Sequence, residues 1–423
     1  MRFLTHDINM MKFKLTPIFL LLVISTAQSQ EIAEFRGPGR TGIYPEAGLL
    51  KKWPEKGPGQ VLKISGFGTG HSQPVVYKNT IFVSGTKDSS NLVSAYSMNG
   101  KLLWQTVYGK FWIRTNPENR CTPTIENDRL YIASGIGDIS CLNTSTGKIL
   151  WSVSPARLYQ AELHKHGESE SLLLTDKAVI YTAGGEKNSI IALNKTNGSV
   201  IWKSSSLGGP KSYASPILIE RGGLRIILAQ TANHLIALNS ETGEILWNHN
   251  LMQYHISEQG QGANTNPPLV WKNDVFVTSG YNHAAIMLTM ADDNRSVSVK
   301  WKNEVLDCHL GGVVRINGAI YGSTWENNSK GKWASVDWET GKVNWETDWF
   351  NKGPIISAEG LLYIMDEKFG NIALVQPDIK SLRIISTFRV TEGEGPYWTH
   401  PAIYNGLLYI RHGDLLMVYN LKV

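Results

Sequence analysis

The side chains able to do chemistry in this chain recur at one kind of place. His71 and Gln73, Arg120, Glu168 and Glu170, Tyr213, Asn264 and Asn266, His309, and Trp398 and His400 each stand just ahead of a short apolar segment. Several of these segments carry Pro: Gln73-Pro74-Val75-Val76, Thr122-Pro123-Thr124, Ser215-Pro216-Ile217, Pro267-Pro268-Leu269 and His400-Pro401-Ala402. Ring-bearing and hydrogen-bonding residues on loops are the ones a rigid scaffold uses to hold a ligand. Glu168 or Glu170 could pair with Arg120, or act as acid or base if its pKa is raised. Trp398 could stack on a flat ligand. Arg411 could be an inner charge partner or, alternatively, part of a surface ion pair. The alternative for the whole set is a water-filled, hydrogen-bonded funnel with no specific ligand.

Other chemistry fails on context. Gly37-Pro38-Gly39-Arg40-Thr41-Gly42 matches G-x-G-x-x-G formally, but it follows no strand, opens no helix and contains Pro. The chain has no His-Glu-x-x-His, no Gly-x-Ser-x-Gly and no Cys-x-x-Cys-His. His164-Lys165-His166 offers two loop histidines, and a metal there would need further ligands.

The elements that position these residues form a repeat. Gly-x-x-x-Trp occurs at Gly100/Trp104, Gly147/Trp151, Gly198/Trp202, Gly243/Trp247 and Gly341/Trp345, and Trp301 ends a similar run without the Gly. Eight β-branched or aromatic runs precede these units, among them Ile81-Phe82-Val83, Leu130-Tyr131-Ile132 and Leu408-Tyr409-Ile410. Each is followed by a second run such as Ile190-Ile191-Ala192-Leu193. Units of about 40–50 residues with several short strands mark propeller blades. The expected fold is therefore all-β: an eight-bladed β-propeller with four antiparallel strands per blade, forming one domain over 31–423. The Pro-containing segments become innermost strands, so the residues ahead of them converge on the channel mouth. The last unit lacks an outer strand. An N-terminal strand within Pro58-Gly59-Gln60-Val61-Leu62-Lys63-Ile64 is expected to supply it, with Lys63 where Trp would stand. Trp104, Trp151, Trp202, Trp247, Trp301 and Trp345 read as structural docking residues, because a buried indole offers large area and an N–H for a carbonyl.

Composition agrees with this reading. Among 423 residues, 18% are charged, 40 are Gly and 14 are Trp, which rules out a coiled coil or a disordered chain. The net charge of +5 comes without a Lys/Arg block, so no nucleic-acid surface is expected. Cys121 and Cys141 are expected on the first and third strands of one blade, about 9.5 Å apart. That exceeds the ~7 Å limit for a bridge, so buried free thiols are expected, with Cys308 alone.

Residues 1–30 read as a signal peptide. Lys12 and Lys14 precede the apolar stretch 18–24, and Ala27-Gln28-Ser29 offers small residues for cleavage near Ser29. The apolar run is too short to span a bilayer. No Cys follows it, so no lipid anchor is expected. The mature chain is expected in the periplasm or outside the cell, as a monomer.

Ala192-Leu193-Asn194-Lys195-Thr196-Asn197-Gly198 and Ala237-Leu238-Asn239-Ser240-Glu241-Thr242-Gly243, each leading to Trp, resemble the tryptophan-docking repeat of pyrroloquinoline-quinone (PQQ) type β-propellers. The resemblance covers about residues 35–423. The stretch from Phe35 to Gly42 is similar to the opening of an exported bacterial subfamily of PQQ-like repeat proteins. The resemblance implies either of two activities. One is an exported propeller that binds a small molecule, a glycan or a partner protein, with any ligand at the channel mouth. The other is a quinoprotein oxidoreductase of alcohols or sugars using PQQ and calcium. The dehydrogenases of this kind often carry two adjacent cysteines over the cofactor, whereas Cys121, Cys141 and Cys308 are far apart. A hydrolase or lyase using the same funnel is a third possibility.

Overall fold

A computed structural model describes residues 32–255 and 262–423; the expected signal segment lies outside the described residues. Eight antiparallel sheets follow one another around a ring, each built on four strands running from an inner edge outward. The blades span 75–110, 124–153, 173–203, 217–250, 269–303, 313–347, 355–389 and 402–420, and are numbered 1 to 8 in that order. Strand Gln60–Ser65 pairs antiparallel with Leu415–Asn420 and completes blade 8 from the N-terminal side. This closure leaves the ring without a seam that only covalent continuity would hold.

The strand pattern follows from the residues. Second and third strands such as Ala178–Thr182 and Ile190–Asn194 are buried almost throughout. They are packed on both faces by neighbouring blades, so they read as continuous apolar runs. Outer strands such as Ile149–Val153 are buried mainly at the Trp. Each docked Trp sits opposite a third-strand residue, as in Ala192 with Trp202 and Ala237 with Trp247, and the register slips by one residue immediately after.

The tryptophans join blade to blade. Trp104 Nε1 donates to Thr144 O at 2.9 Å, Trp151 to Lys195 O at 2.9 Å and Trp202 to Ser240 O at 3.2 Å. Trp301 donates to Trp338 O at 3.0 Å and Trp345 to Asp378 O at 2.8 Å. Trp247 is buried in the same position without an acceptor for its N–H. Each acceptor lies in the next blade's last hairpin, and for Trp104, Trp151, Trp202 and Trp301 the glycine of that hairpin rests on the indole. A Cβ on Gly147 would come within 2.5 Å of the Trp104 ring, and Gly147 also has φ +70°. Glycine is thus required there twice over.

Two expectations need correcting. Leu62, not Lys63, fills the Trp position in the closing strand. It pairs with Val418 and packs under Gly100, because the register slip falls between Gln60 and Leu62. Cys121 lies ahead of the first strand of blade 2 rather than on it, while Cys141 is on the third. All three cysteines are buried and free.

The centre of the ring is plugged by the chain itself. Ile32–Ala33 pairs antiparallel with Thr124–Glu126, the inner strand of blade 2. Pro38–Arg40 forms a 3-10 turn, and Ile43–Tyr44 pairs parallel with Ile355–Ala358, the inner strand of blade 7. Gly37, Gly39 and Gly42 all have positive φ, which allows this tight double-back inside the channel.

Candidate functional site

The plug sets the depth of the site. Above it opens a funnel of about 170 Å³, and Phe35 and Arg36 are among its lining residues. Arg36 is 2% exposed. Its Nη1 donates to Ile355 O at 3.2 Å, Gly311 O at 3.3 Å and His400 Nδ1 at 2.9 Å, and its Nη2 to Val313 O at 2.7 Å. Its backbone N–H reaches Gln73 Oε1 at 2.6 Å. One residue of the plug therefore ties blades 6 and 7 and the approach to blade 8 through its side chain, and the approach to blade 1 through its backbone. Arg40 does the same for blade 3, donating to Ser171 O at 2.6 Å and Leu172 O at 2.8 Å. Burial lowers the Arg36 pKa to about 10, which leaves it cationic at neutral pH.

Seven of the sequence-derived candidates line this funnel: His71, Arg120, Tyr213, Asn266, His309, Trp398 and His400. Their rings form contacts around the wall. His71 lies 5.0 Å from Trp398, His309 4.5 Å from Tyr281, and Phe35 5.1 Å from His400, centroid to centroid. Tyr213 Oη accepts from His166 N at 3.0 Å and lies 2.6 Å from His164 Nδ1. Asn266 holds blades 5 and 6 together, donating to Cys308 O at 2.6 Å and accepting from Gly312 N at 3.0 Å. Arg120 donates from Nη1 to Asn116 O at 3.0 Å and from Nη2 to His166 O.

Three polar atoms in this lining are buried without a partner: His71 Nδ1, Arg120 Nε and His309 Nδ1. The two imidazoles are held neutral. Burial, then Arg411 and Arg120, lower His71 to about 3. Burial, then Lys352 and His166, lower His309 to about 3.

Glu168, Glu170 and Arg411 lie elsewhere. Glu168 and Glu170 are fully buried and share Lys211, whose Nζ is 2.7 Å from Glu168 Oε2 and 2.9 Å from Glu170 Oε2. Tyr181 Oη donates to the same Glu168 oxygen at 3.0 Å. The Glu168–Arg120 ion pair considered from sequence is not formed, because a cation without a repeat signature, Lys211, reaches the carboxylates first. Burial raises Glu170 against the pull of Lys211; burial opposes the charge on Lys211, but Glu168 and Glu170 prevail and raise it. Arg411 is 1% exposed rather than in a surface ion pair. It donates to Ser72 O, Ser84 O, Gly68 O and Gly413 O. Of the tryptophans outside the docking positions, Trp398 lines the funnel, whereas Trp325 packs tilted against Tyr281 at 5.2 Å and Trp349 packs on Trp333 at 6.2 Å. Sequence reading missed Phe35, Arg36, Lys211 and Tyr281. Arg36 and Arg40 sit in the Phe35-to-Gly42 stretch, whose two arginines among glycines were the available signal.

Eight radial sheets, indole docking and a central funnel define the class: a PQQ-like repeat β-propeller. Comparison narrows this further. The family model described as outer membrane protein assembly factor BamB matches residues 89–347, and the chain belongs to that family. It is 22% identical over 295 residues to the outer membrane protein assembly factor BamB of Yersinia pestis, covering 68% of this chain and 70% of that protein. It is 26% identical over 164 residues to tetrathionate hydrolase of Acidithiobacillus ferrooxidans, 36% of this chain and 30% of that protein, so the chain spans under a third of it. Among solved structures, BamB from Moraxella catarrhalis superimposes with TM-score 0.61 at 16% identity, over 86% of this chain and 99% of that one. A europium-containing methanol dehydrogenase does so with TM-score 0.64 at 14% identity, over 89% and 88%. These two likenesses are of fold.

The site can be tested for the cofactor that the fold suggests. Calcium takes about 6–8 oxygen ligands, carboxylates prominent among them. The funnel lining contains neither Asp nor Glu. Glu168 and Glu170 are already committed to Lys211, and among the described residues no three His, Cys, Asp or Glu side chains converge as a metal site. The residues present do not fit a calcium–PQQ pair.

Proposed function

We propose that this chain is an exported propeller that acts by binding, taking a small molecule or glycan in its funnel or a partner protein on its face. One observation carries the reading. The funnel ends on Phe35 and Arg36, and three buried polar atoms on its wall, at His71, Arg120 and His309, lack partners. Buried polar groups are nearly always hydrogen-bonded, and leaving one unpaired costs about 1–3 kcal/mol. They lie behind the funnel surface, so a ligand recovers that cost only where the wall side chains turn toward it. The funnel's titratable groups also argue for binding over turnover. Burial holds the His71 and His309 imidazoles down at about 3, so they are neutral at pH 7, and both nearby glutamates are bonded to Lys211. That relatives carry the name assembly factor supports a protein partner. Export rests on the residue pattern of 11–29 and accords with the relatives' outer-membrane name.

Native mass spectrometry of the mature chain purified from its own host tests this. A bound small molecule or a co-purifying protein is the expected result. Reconstitution with PQQ and calcium, read by quinone absorbance and by dye-linked oxidation of an alcohol and sugar panel, tests the oxidoreductase alternative. Activity there would overturn the binding reading.

A further inference from the structure

Lys211, Glu168 and Glu170 are fully buried and lie outside the funnel lining, so a ligand there leaves them unused. The backbone of Lys211 is fixed. Its N–H donates to Glu162 O at 2.9 Å, and a Cβ on Gly184 would come within 2.1 Å of that nitrogen. Its Nζ is bonded to one oxygen of each carboxylate, at 2.7 Å from Glu168 Oε2 and 2.9 Å from Glu170 Oε2. The two carboxylates are not held alike. Glu168 Oε1 accepts from the backbone N–H of Ser169 at 2.9 Å and of Glu170 at 2.8 Å, and Tyr181 Oη donates to Glu168 Oε2 at 3.0 Å. Glu170 is held by the Thr182 N–H, at 3.2 Å from each of its oxygens. Two backbone N–H groups aimed at one oxygen are the arrangement that stabilises the oxyanion of an acyl-transfer intermediate. Glu168 has that arrangement, and Lys211 is the amine beside it.

The charge state of the cluster favours a neutral product. At rest Lys211 is an ammonium: burial opposes its charge, but Glu168 and Glu170 prevail and raise it. Burial raises Glu170 against the pull of Lys211, so Glu170 takes up a proton more readily than an exposed carboxylate. Two carboxylates against one ammonium are thus enclosed away from water. Replacing such buried charges by neutral groups is often stabilising. Condensation of an acid with an amine is opposed by bulk water, but groups held in contact reach effective concentrations of about 10⁵–10⁸ M.

We propose that Lys211 Nζ condenses with the side-chain carboxyl of Glu168, forming an internal amide that braces the approach to blade 3 against the approach to blade 4. Ammonium and carboxylate give amide and water, and no outside reagent enters. One proton passes from Nζ to Glu168 Oε2 along the bond at 2.7 Å, leaving a neutral amine and a neutral acid. The amine lone pair attacks Cδ of Glu168, and negative charge collects on Oε1 between the Ser169 and Glu170 N–H groups. Glu170 takes a second proton from Nζ and delivers it to Oε2, which leaves as water. The Nζ–Cδ bond forms, the Cδ–Oε2 bond breaks, and the third proton stays on the amide nitrogen. The freshly folded chain holds the ion pair, and the link forms afterwards. Ser169 and Tyr213 line the funnel beside the two ends of the link and share a bond from Ser169 Oγ to Tyr213 O at 3.1 Å, so the link stiffens the funnel lip whatever the funnel holds.

Intact-mass spectrometry of the mature chain, followed for weeks after purification, tests this. A species lighter by one water is expected to grow at the expense of the unlinked chain. Trypsin should then release residues 166–177 joined to residues 204–221, with Lys211 uncleaved and fragment ions placing the link on Glu168. Glu170→Gln removes the base and is expected to slow the link by about a hundredfold. Lys211→Arg keeps the cation and should abolish the link. A chain that stays at its sequence mass overturns the proposal. So does a loss of water that maps to any other pair of residues, Glu170 with Lys211 included. Equal rates in Glu170→Gln and the parent overturn the assigned base. Should either variant not fold, the mass and the joined peptide of the unmodified chain decide alone.

Discussion

Arg36 Nη1 lies 2.9 Å from His400 Nδ1, although the two residues are 364 positions apart. Arginine can only donate, so Nδ1 accepts, and the ring hydrogen must be on Nε2. That hydrogen meets Leu310 O at 2.8 Å. Both nitrogens of His400 are thereby assigned, and the plug is joined to blade 8 through one tautomer. Removing the guanidinium leaves several buried acceptors unsatisfied. Arg36→Ala is expected to destabilise the domain by about 3 kcal/mol, a fall in Tm of about 4 °C for a chain of this size. Differential scanning calorimetry of variant against parent measures it.

The same geometry sets a pH dependence. Burial and Arg36 lower His400 to about 3, and His71 and His309 also fall to about 3. In the unfolded chain these imidazoles titrate near 6.5. Between those values the unfolded state binds more protons, so stability drops as pH falls below about 6.5. Each histidine contributes up to about 1.4 kcal/mol per pH unit in that window. Asp307 works in the opposite sense. Burial raises it to about 7, so its folded form takes a proton earlier than its unfolded form and offsets part of the loss. Denaturation midpoints at pH 7 and pH 5 should therefore differ clearly, and His400→Gln should flatten the slope by about one proton. An unchanged slope would contradict the assigned tautomer.

The buried Lys211 cluster is expected to be structural. Lys211→Met leaves Glu168 and Glu170 facing each other without a cation, and breaking such a buried cluster costs about 3–5 kcal/mol. Adding Glu168→Gln and Glu170→Gln to the same variant should restore most of that loss. Urea unfolding of the single and triple variants separates the two results.

The docked tryptophans permit a paired comparison. Trp151 donates to Lys195 O at 2.9 Å, whereas Trp247 in the same position has no acceptor. Trp151→Phe forfeits packing area and a hydrogen bond; Trp247→Phe forfeits area and removes an unpaired donor. The first should cost more than the second by about 1 kcal/mol, as read from chemical denaturation midpoints. Equal losses would mean that the indole N–H plays no part in holding blade to blade.

The repeat was legible in the chain because its determinants are local. Gly147, four residues before Trp151, needs only a turn with positive φ and a ring from the preceding blade to rest against, and Gly198, Gly243 and Gly341 repeat that arrangement on Trp151, Trp202 and Trp301. Strand runs, hairpin glycines and docking tryptophans therefore announce eight blades without any long-range information. The ring then brings His71, Arg120, Tyr213, Asn266, His309, Trp398 and His400 to one mouth, because each precedes an inner strand and the blades are equivalent. Leu62 was misassigned by one position because a register slip cannot be read from spacing.

What the tertiary structure decided is how charge is disposed inside the ring. Glu168 finds Lys211 rather than Arg120, Arg411 is buried rather than exposed, and Arg36 enters the channel to meet carbonyls of blades 6 and 7. These partners are tens to hundreds of residues apart and carry no periodic signal. Only closure of the ring and insertion of 32–44 bring them together. The amino-acid sequence by itself determined an eight-bladed PQQ-like propeller with a polar, aromatic mouth. The fold alone determined that the mouth ends on a plug, and that Arg36 and Arg120 come to line it.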